Sequence, residues 1–137
     1  MQSAVLETIH TLYPEQYWLH IYTDGTLTES NGKAGTGAGI HCKLFSFYLT
    51  LGHHATQFDG ELEAMNIAIR QIVSRIGCFK KAVTFSDSTA AIHSLTKVDE
   101  LPSKTVTEIH SSVKQLKALQ RDKKFQWVPS HCGVVSN

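Results

Sequence analysis

Two apolar runs, Leu19-His20-Ile21-Tyr22-Thr23 and Ala82-Val83-Thr84-Phe85-Ser86, each end on an aspartate, Asp24 and Asp87. Their β-branched and aromatic content predicts strands. If these strands are parallel neighbours, the two aspartates lie side by side at the carboxyl edge, where open α/β sheets place their sites. A third acid, Glu61, begins a predicted helix that would cross the same sheet. Carboxylates gathered this closely repel one another, so the cluster makes physical sense chiefly when divalent cations neutralise it. That combination suits a metal-dependent nuclease.

The intervening chain limits how such a sheet is wired. Asp24-Gly25 is a turn signal, and glycines 32, 35, 37 and 39 punctuate a predicted loop. Strands around Ala38–Lys43 and Phe45–Leu51 then complete an antiparallel meander. The glycines match neither the P-loop nor the dinucleotide fingerprint, which leaves them as turn and strand residues. Thr56-Gln57-Phe58-Asp59 fits a variant capping box ahead of a stripe at Leu62, Met65, Ile69, Ile72 and Ile76, with Gly77 as the expected C-cap. A carboxylate in the first turns of this helix also suits its dipole, a reading open to Asp59, Glu61 and Glu63 alike.

Ser88–Leu95 reads as a short helix capped by Ser86 or Asp87, and capping alone is the commoner role for Asp87. A longer helix starts at Pro102-Ser103, carries Val106, Ile109, Val113, Leu116 and Leu119 on one face, and ends among Lys114, Lys117 and Arg121. Lys124–Val128 is a last strand, stopped by Pro129. The predicted order is β, β, β, α, β, α, α, β, a meander joined to a crossover part.

A chain of 137 residues is one domain with a real core, divided here into a lead-in or linker over 1–18 and a folded unit over 19–137. A formal net charge of +1 means that any phosphate contact must come from local clusters such as Lys123-Lys124. Three scattered cysteines, Cys42, Cys78 and Cys132, argue against a disulfide framework and for a reducing compartment. No stretch approaches the length of a membrane span. The expectation is an intracellular protein of the cytoplasm or nucleus, neither secreted nor membrane-bound.

Four segments carry a family resemblance. Tyr22-Thr23-Asp24-Gly25-Thr26, Gly60-Glu61-Leu62-Glu63-Ala64, Phe85-Ser86-Asp87-Ser88 and Trp127-Val128-Pro129-Ser130-His131-Cys132-Gly133, in that order, resemble the type 1 ribonuclease H domain. The phrasing Phe58-Asp59-Gly60-Glu61 is similar to the domain carried by non-LTR retrotransposon polyproteins of arthropods. The resemblance runs from about Leu19 to Asn137 and selects Glu61 over Asp59 and Glu63.

The resemblance implies an α/β ribonuclease H-like fold: a five-stranded mixed sheet in the order 3-2-1-4-5 with helices on both faces. It implies endonucleolytic hydrolysis of the RNA strand of an RNA–DNA hybrid by two Mg²⁺ ions, with Mn²⁺ as a substitute, held by Asp24, Glu61 and Asp87. Asp24 would bridge both ions. His131 would assist proton transfer or product release, and Thr26, Gln57, Ser88, Thr89 and Asn137 would contact substrate. A reverse transcriptase domain in the same or a related polyprotein is the implied partner.

Two departures from the family pattern stand out. Polar side chains, commonly asparagines, precede the catalytic glutamate in the family and read 2′ hydroxyls; here Gln57 can do so and Phe58 cannot. The family pattern also continues past the position of Asn137 with a Glu, a small residue, a fourth catalytic Asp and a final helix. That reads as a C-terminal truncation, impairing activity and leaving one sheet face partly uncovered. A catalytically silent module of the same fold, or an integrase- or transposase-type member of it, are the alternative readings.

Overall fold

Strand β1 (Trp18–Ser30) lies at the centre of a five-stranded sheet and makes both kinds of ladder. On one side it pairs antiparallel with β2 (Lys33–Cys42), which pairs antiparallel with β3 (Phe45–Gly52). On the other it runs parallel to β4 (Lys81–Ser86), which runs parallel to β5 (Asp122–Trp127). The order is β3-β2-β1-β4-β5, as expected from the sequence. The computed structural model describes residues 2–30, 33–52, 56–97 and 101–129, apart from the side chains of 2–3, 26–30 and 33–34.

Alternation along the strands sorts side chains onto two faces. Leu19 and Ile21 of β1, Ala38, Ile40 and Cys42 of β2 and Ala82 of β4 pack against Ala64, Ala68, Ile69 and Ile72 of α2 (Gln57–Val73). Helices α3 (Thr89–Thr96) and α4 (Lys104–Ala118) pack on α2 through Leu62, Met65, Ala91, Leu95, Val106 and Ile109 and also reach β5. The start of α2 is the expected capping box: Thr56 Oγ1 accepts from Asp59 N, and Thr56 N donates to Asp59 Oδ2.

The opposite face is covered by an element that the sequence pattern did not suggest. Gln2–Leu12 form a helix, α1, whose Ile9 is only 3% exposed and packs on Val83, Phe85 and Val128. Tyr13, just beyond it, sets its ring edge-on against Trp18 and Phe85 and donates from its hydroxyl to Gln126 Oε1. The tie is completed by His20, whose Nε2 lies 2.6 Å from the Tyr13 carbonyl oxygen. Burial holds the His20 pKa below its ordinary value.

Several boundaries differ from those expected. Asp24-Gly25 is not a turn: β1 continues to Ser30, with Asp24 opposite Gly39 and Gly25 opposite Ala38. β2 starts at Lys33 rather than near Ala38, so Gly35 and Gly37 are strand residues like Gly39, while Gly32 lies outside the described residues. A side chain at Gly37 would collide with the ring of Tyr48, so flatness there makes room for the neighbouring strand. Helix α2 ends at Val73 with Ser74 as C-cap, leaving Ile76 and Gly77 to a 3₁₀ turn over Ile76–Cys78. β5 begins at Asp122, two residues early.

Lys123 turns inward: its ammonium donates to Thr84 Oγ1 and the Lys124 carbonyl and lies over the Phe125 ring, and burial pushes its pKa well down. Thr84, the Lys124 carbonyl and the Phe125 ring, rather than a phosphate, are the partners of its ammonium. No described helix is long and apolar enough to cross a membrane. Among the cysteines, Cys42 is buried, Cys78 is exposed and Cys132 lies outside the described residues.

Candidate active site

The parallel ladder between β1 and β4 ends at Tyr22 opposite Phe85, while β1 runs on beside β2 alone. Asp24 therefore stands where β4 has ended, although it lies within a strand. Asp87 follows the last residue of β4, and Glu61 enters from the first turns of α2. One oxygen from each of these three carboxylates lies within 4.8 Å of the others. Asp24 is exposed, Asp87 half-buried and Glu61 only 1% exposed.

Glu61 is gripped from two strands. The Gly25 N–H of β1 donates to Oε1, and the Ser86 hydroxyl of β4 donates to Oε2 at 2.9 Å. Thr23 Oγ1 is 3.4 Å from Oε2 and 3.3 Å from the Phe85 carbonyl oxygen, so its single hydrogen is divided between two long contacts. Burial raises the pKa of Glu61; its bonds from Ser86 and Gly25 oppose that shift, while the charges of Asp87 and Asp24 reinforce it.

Two glycines make this approach possible. An added Cβ at Gly25 would meet Glu61 Oε1 at 2.9 Å, and one at Gly60 would meet Thr36 Cγ2 at 2.9 Å and the Gly37 carbonyl at 3.3 Å. Neither position has room for a side chain without displacing α2 or the carboxylate it carries. The Asp-Gly pair in β1, with the form of a turn signal, serves close packing instead.

The donor set suits a hard divalent cation. Carboxylate oxygens are the preferred ligands of Mg²⁺, and a buried carboxylate next to two others is relieved of repulsion by a cation.

Of the other residues singled out from sequence, Gln57 sits at the same edge, with its Nε2 donating to the Gly25 carbonyl at 3.3 Å. Phe58 beside it is exposed. Ser88, rather than Ser86 or Asp87, is the N-cap of α3, its Oγ accepting from Ala91 N at 3.1 Å. Thr89 is the exposed first residue of that helix. The Thr26 side chain, His131 and Asn137 lie outside the described residues. Trp127 was not singled out by its side chain, yet it stands 46% exposed and donates from Nε1 to the Asp87 carbonyl at 3.1 Å. The sequence pattern offers Ser86 only as a cap; its two-residue spacing from Ala82 and Thr84, which places all three on one strand face, is the signal for the inward role it has in the structure.

Residues 16–137 match the sequence model of the RNase H family. The chain belongs to that family. Solved RNase H structures share the fold: that of RNase H1 from the halophilic archaeon Halobacterium salinarum is 20% identical, with a TM-score of 0.55 over 82% of this chain and 86% of the other. The N-terminal RNase H domain of Rv2228c from Mycobacterium tuberculosis is 19% identical, with a TM-score of 0.56 over 82% and 87%. LC11-RNase H1, solved in complex with an RNA/DNA hybrid, is 20% identical, with a TM-score of 0.57 over 85% and 88%. No curated protein sequence matches the chain. Helix α1 precedes the matched span and packs on the same sheet.

Proposed function

We propose that this RNase H domain hydrolyses the RNA strand of RNA–DNA hybrids endonucleolytically, using divalent cations held by Asp24, Glu61 and Asp87. The convergence of those three carboxylates within 4.8 Å, on a sheet of the family's topology, carries the reading. A related fold bound to an RNA/DNA hybrid supports the substrate class. Mg²⁺ is the proposed ion, used as a pair, with Mn²⁺ as a substitute. When bound, such ions supply activation of the attacking water and charge stabilisation of the departing 3′ oxygen.

The chain's own residues contribute placement. Glu61 is a fixed, water-excluded ligand, held on both oxygens, whereas Asp24 presents its carboxylate to solvent and to incoming phosphate. Asp87 closes the third side. Water attacks phosphorus and the P–O3′ bond breaks, leaving a 5′ phosphate and a 3′ hydroxyl, so no protein nucleophile is required. His131 is proposed to assist proton transfer or product release. Gln57, Thr26, Ser88, Thr89 and Asn137 are the proposed substrate contacts, and exposed Phe58 offers the minor groove an apolar surface where a polar reader would make hydrogen bonds.

The Phe58-Asp59-Gly60-Glu61 phrasing supports an origin in an arthropod-type retrotransposon polyprotein. A linked reverse transcriptase would supply hybrid affinity that a net charge of +1 does not. The test is strand-specific cleavage: with Mg²⁺, the RNA strand of a hybrid should be cut while duplex DNA of the same sequence is spared. Equal cleavage of the DNA duplex would overturn the substrate assignment, and tight hybrid binding with no cleavage would mark a silent module.

A further inference from the structure

We infer that Ser86 is a positioning residue for the acidic cluster, setting both the orientation of Glu61 and the turn that presents Asp87. The inference rests on the proposed metal-binding role of those carboxylates. Ser86 is 1% exposed, and its hydroxyl donates to Glu61 Oε2 at 2.9 Å. Ser86 Oγ in turn accepts the Ser88 N–H at 3.1 Å. Asp87 lies between these two residues, so one hydroxyl is bonded on one side to the glutamate of α2 and on the other to the backbone just past the aspartate.

The direction of the hydroxyl hydrogen follows from this arrangement. The Ser88 N–H can only donate, so the Ser86 oxygen must accept from it, and the Ser86 hydrogen is left for Glu61, a carboxylate that can only accept when ionised. A hydroxyl that accepts one bond while donating another is polarised by it, which strengthens the bond to the carboxylate. Thr23 does not duplicate this role, because its hydroxyl is 3.4 Å from Oε2 and divided with the Phe85 carbonyl. Gly25 holds the other oxygen. Without Ser86, Glu61 keeps one firm donor and can pivot about it, and the Ser88 N–H loses its partner. Groups that hydrogen-bond metal ligands typically change metal affinity or activity by about 10–100-fold when removed.

The test compares Ser86→Thr with Ser86→Val, two side chains of similar shape that differ in the hydroxyl, with Ser86→Ala as a third variant. Mn²⁺ affinity is measured by calorimetry on the substrate-free full chain, and hybrid cleavage is followed as a function of metal concentration. Ser86→Val and Ser86→Ala should weaken Mn²⁺ binding by about 10–100-fold and move the metal dependence of cleavage by the same factor, with KM for the hybrid unchanged. Ser86→Thr should restore both. A loss of melting temperature shared by Thr and Val variants, with Mn²⁺ affinity equal in the two, would assign Ser86 a purely structural role and overturn the inference. If the wild-type chain binds Mn²⁺ but leaves hybrids intact, the proposed reaction fails, while the calorimetric difference between Thr and Val still decides the role of Ser86.

Discussion

Replacing Glu61 by Gln should stabilise the metal-free protein at neutral pH and destabilise it relative to wild type when metal is present. Glu61 is buried, and one of its oxygens lies within 4.8 Å of an oxygen of Asp24 and of Asp87. At that separation one pair of like charges repels by about 3.5 kcal/mol at an effective dielectric of about 20, and by about 0.9 kcal/mol in water-like surroundings. Asp24 is exposed and Asp87 half-buried, so the lower part of that range applies. Gln keeps an acceptor for the Gly25 N–H but turns an amide donor toward Ser86, costing about 1 kcal/mol of hydrogen bonding. The balance is a net gain of about 1 kcal/mol, or roughly 3–5 °C in Tm for a chain of this size.

The pH dependence fixes the sign. Burial raises the folded-state pKa of Glu61, so wild type has its full stability from this group below the unfolded glutamate pKa and loses it as pH rises through the folded value. Melting in EDTA should give coincident curves for wild type and Glu61→Gln in acid, separating in favour of Gln as pH rises. Saturating Mg²⁺ should reverse the order, since a ligand at about 100 times its Kd contributes about 2.7 kcal/mol to the state that binds it. A Gln variant less stable than wild type in EDTA at neutral pH would refute the reasoning, as would equal stabilisation of both by Mg²⁺.

Helix α1 should be part of the folding unit: Ile9→Ala, at a site 3% exposed, should cost about 2–4 kcal/mol in urea unfolding, whereas an independent lead-in would show no change. Gly25→Ala should lower hybrid cleavage sharply while the chain still folds, because its Cβ would lie 2.9 Å from Glu61 Oε1; wild-type turnover would show that the carboxylate does not need that position. Exposed Lys114 and Lys117 remain available to phosphate, whereas Arg121 donates to the carbonyls of Ile76 and Leu119. Reversing both lysines to Glu should weaken hybrid binding and reduce its salt slope by about 1 per lost contact, and an unchanged slope would make them an ordinary solvated face.

Strand composition and connection lengths made an antiparallel meander joined to a crossover part legible, while the full order 3-2-1-4-5 followed from the family resemblance. The start of α2 was legible for a local reason, a capping box that needs only Thr56 and Asp59. Asp24-Gly25 misled because a turn signal and a close-approach glycine look alike in sequence; only the position of Glu61 separates them. The glycines of β2 misled similarly, since their role depends on Tyr48 from the next strand. Helix α1 has its polar and apolar residues mixed ahead of Pro14, and its reason for being helical lies in Val83, Phe85 and Val128, far along the chain. For the site, Asp24 and Asp87 stood out at predicted strand ends, whereas spacing left Glu61 level with Asp59 and Glu63 and only the resemblance selected it; the grip on Glu61 depends on Gly25 and Ser86 from different strands and has no local signature.

The central claim is that Asp24, Glu61 and Asp87 act together on a hybrid through bound cations. Its most direct test is the cleavage rate of an end-labelled RNA–DNA hybrid, measured across a Mg²⁺ titration for wild type and for Asp24→Asn, with both proteins shown to be folded. The account predicts RNA-strand cleavage by wild type that rises with Mg²⁺ and vanishes in EDTA, and none above background for Asp24→Asn at any concentration. Cleavage by the variant at the wild-type rate, or by wild type in EDTA, would contradict it.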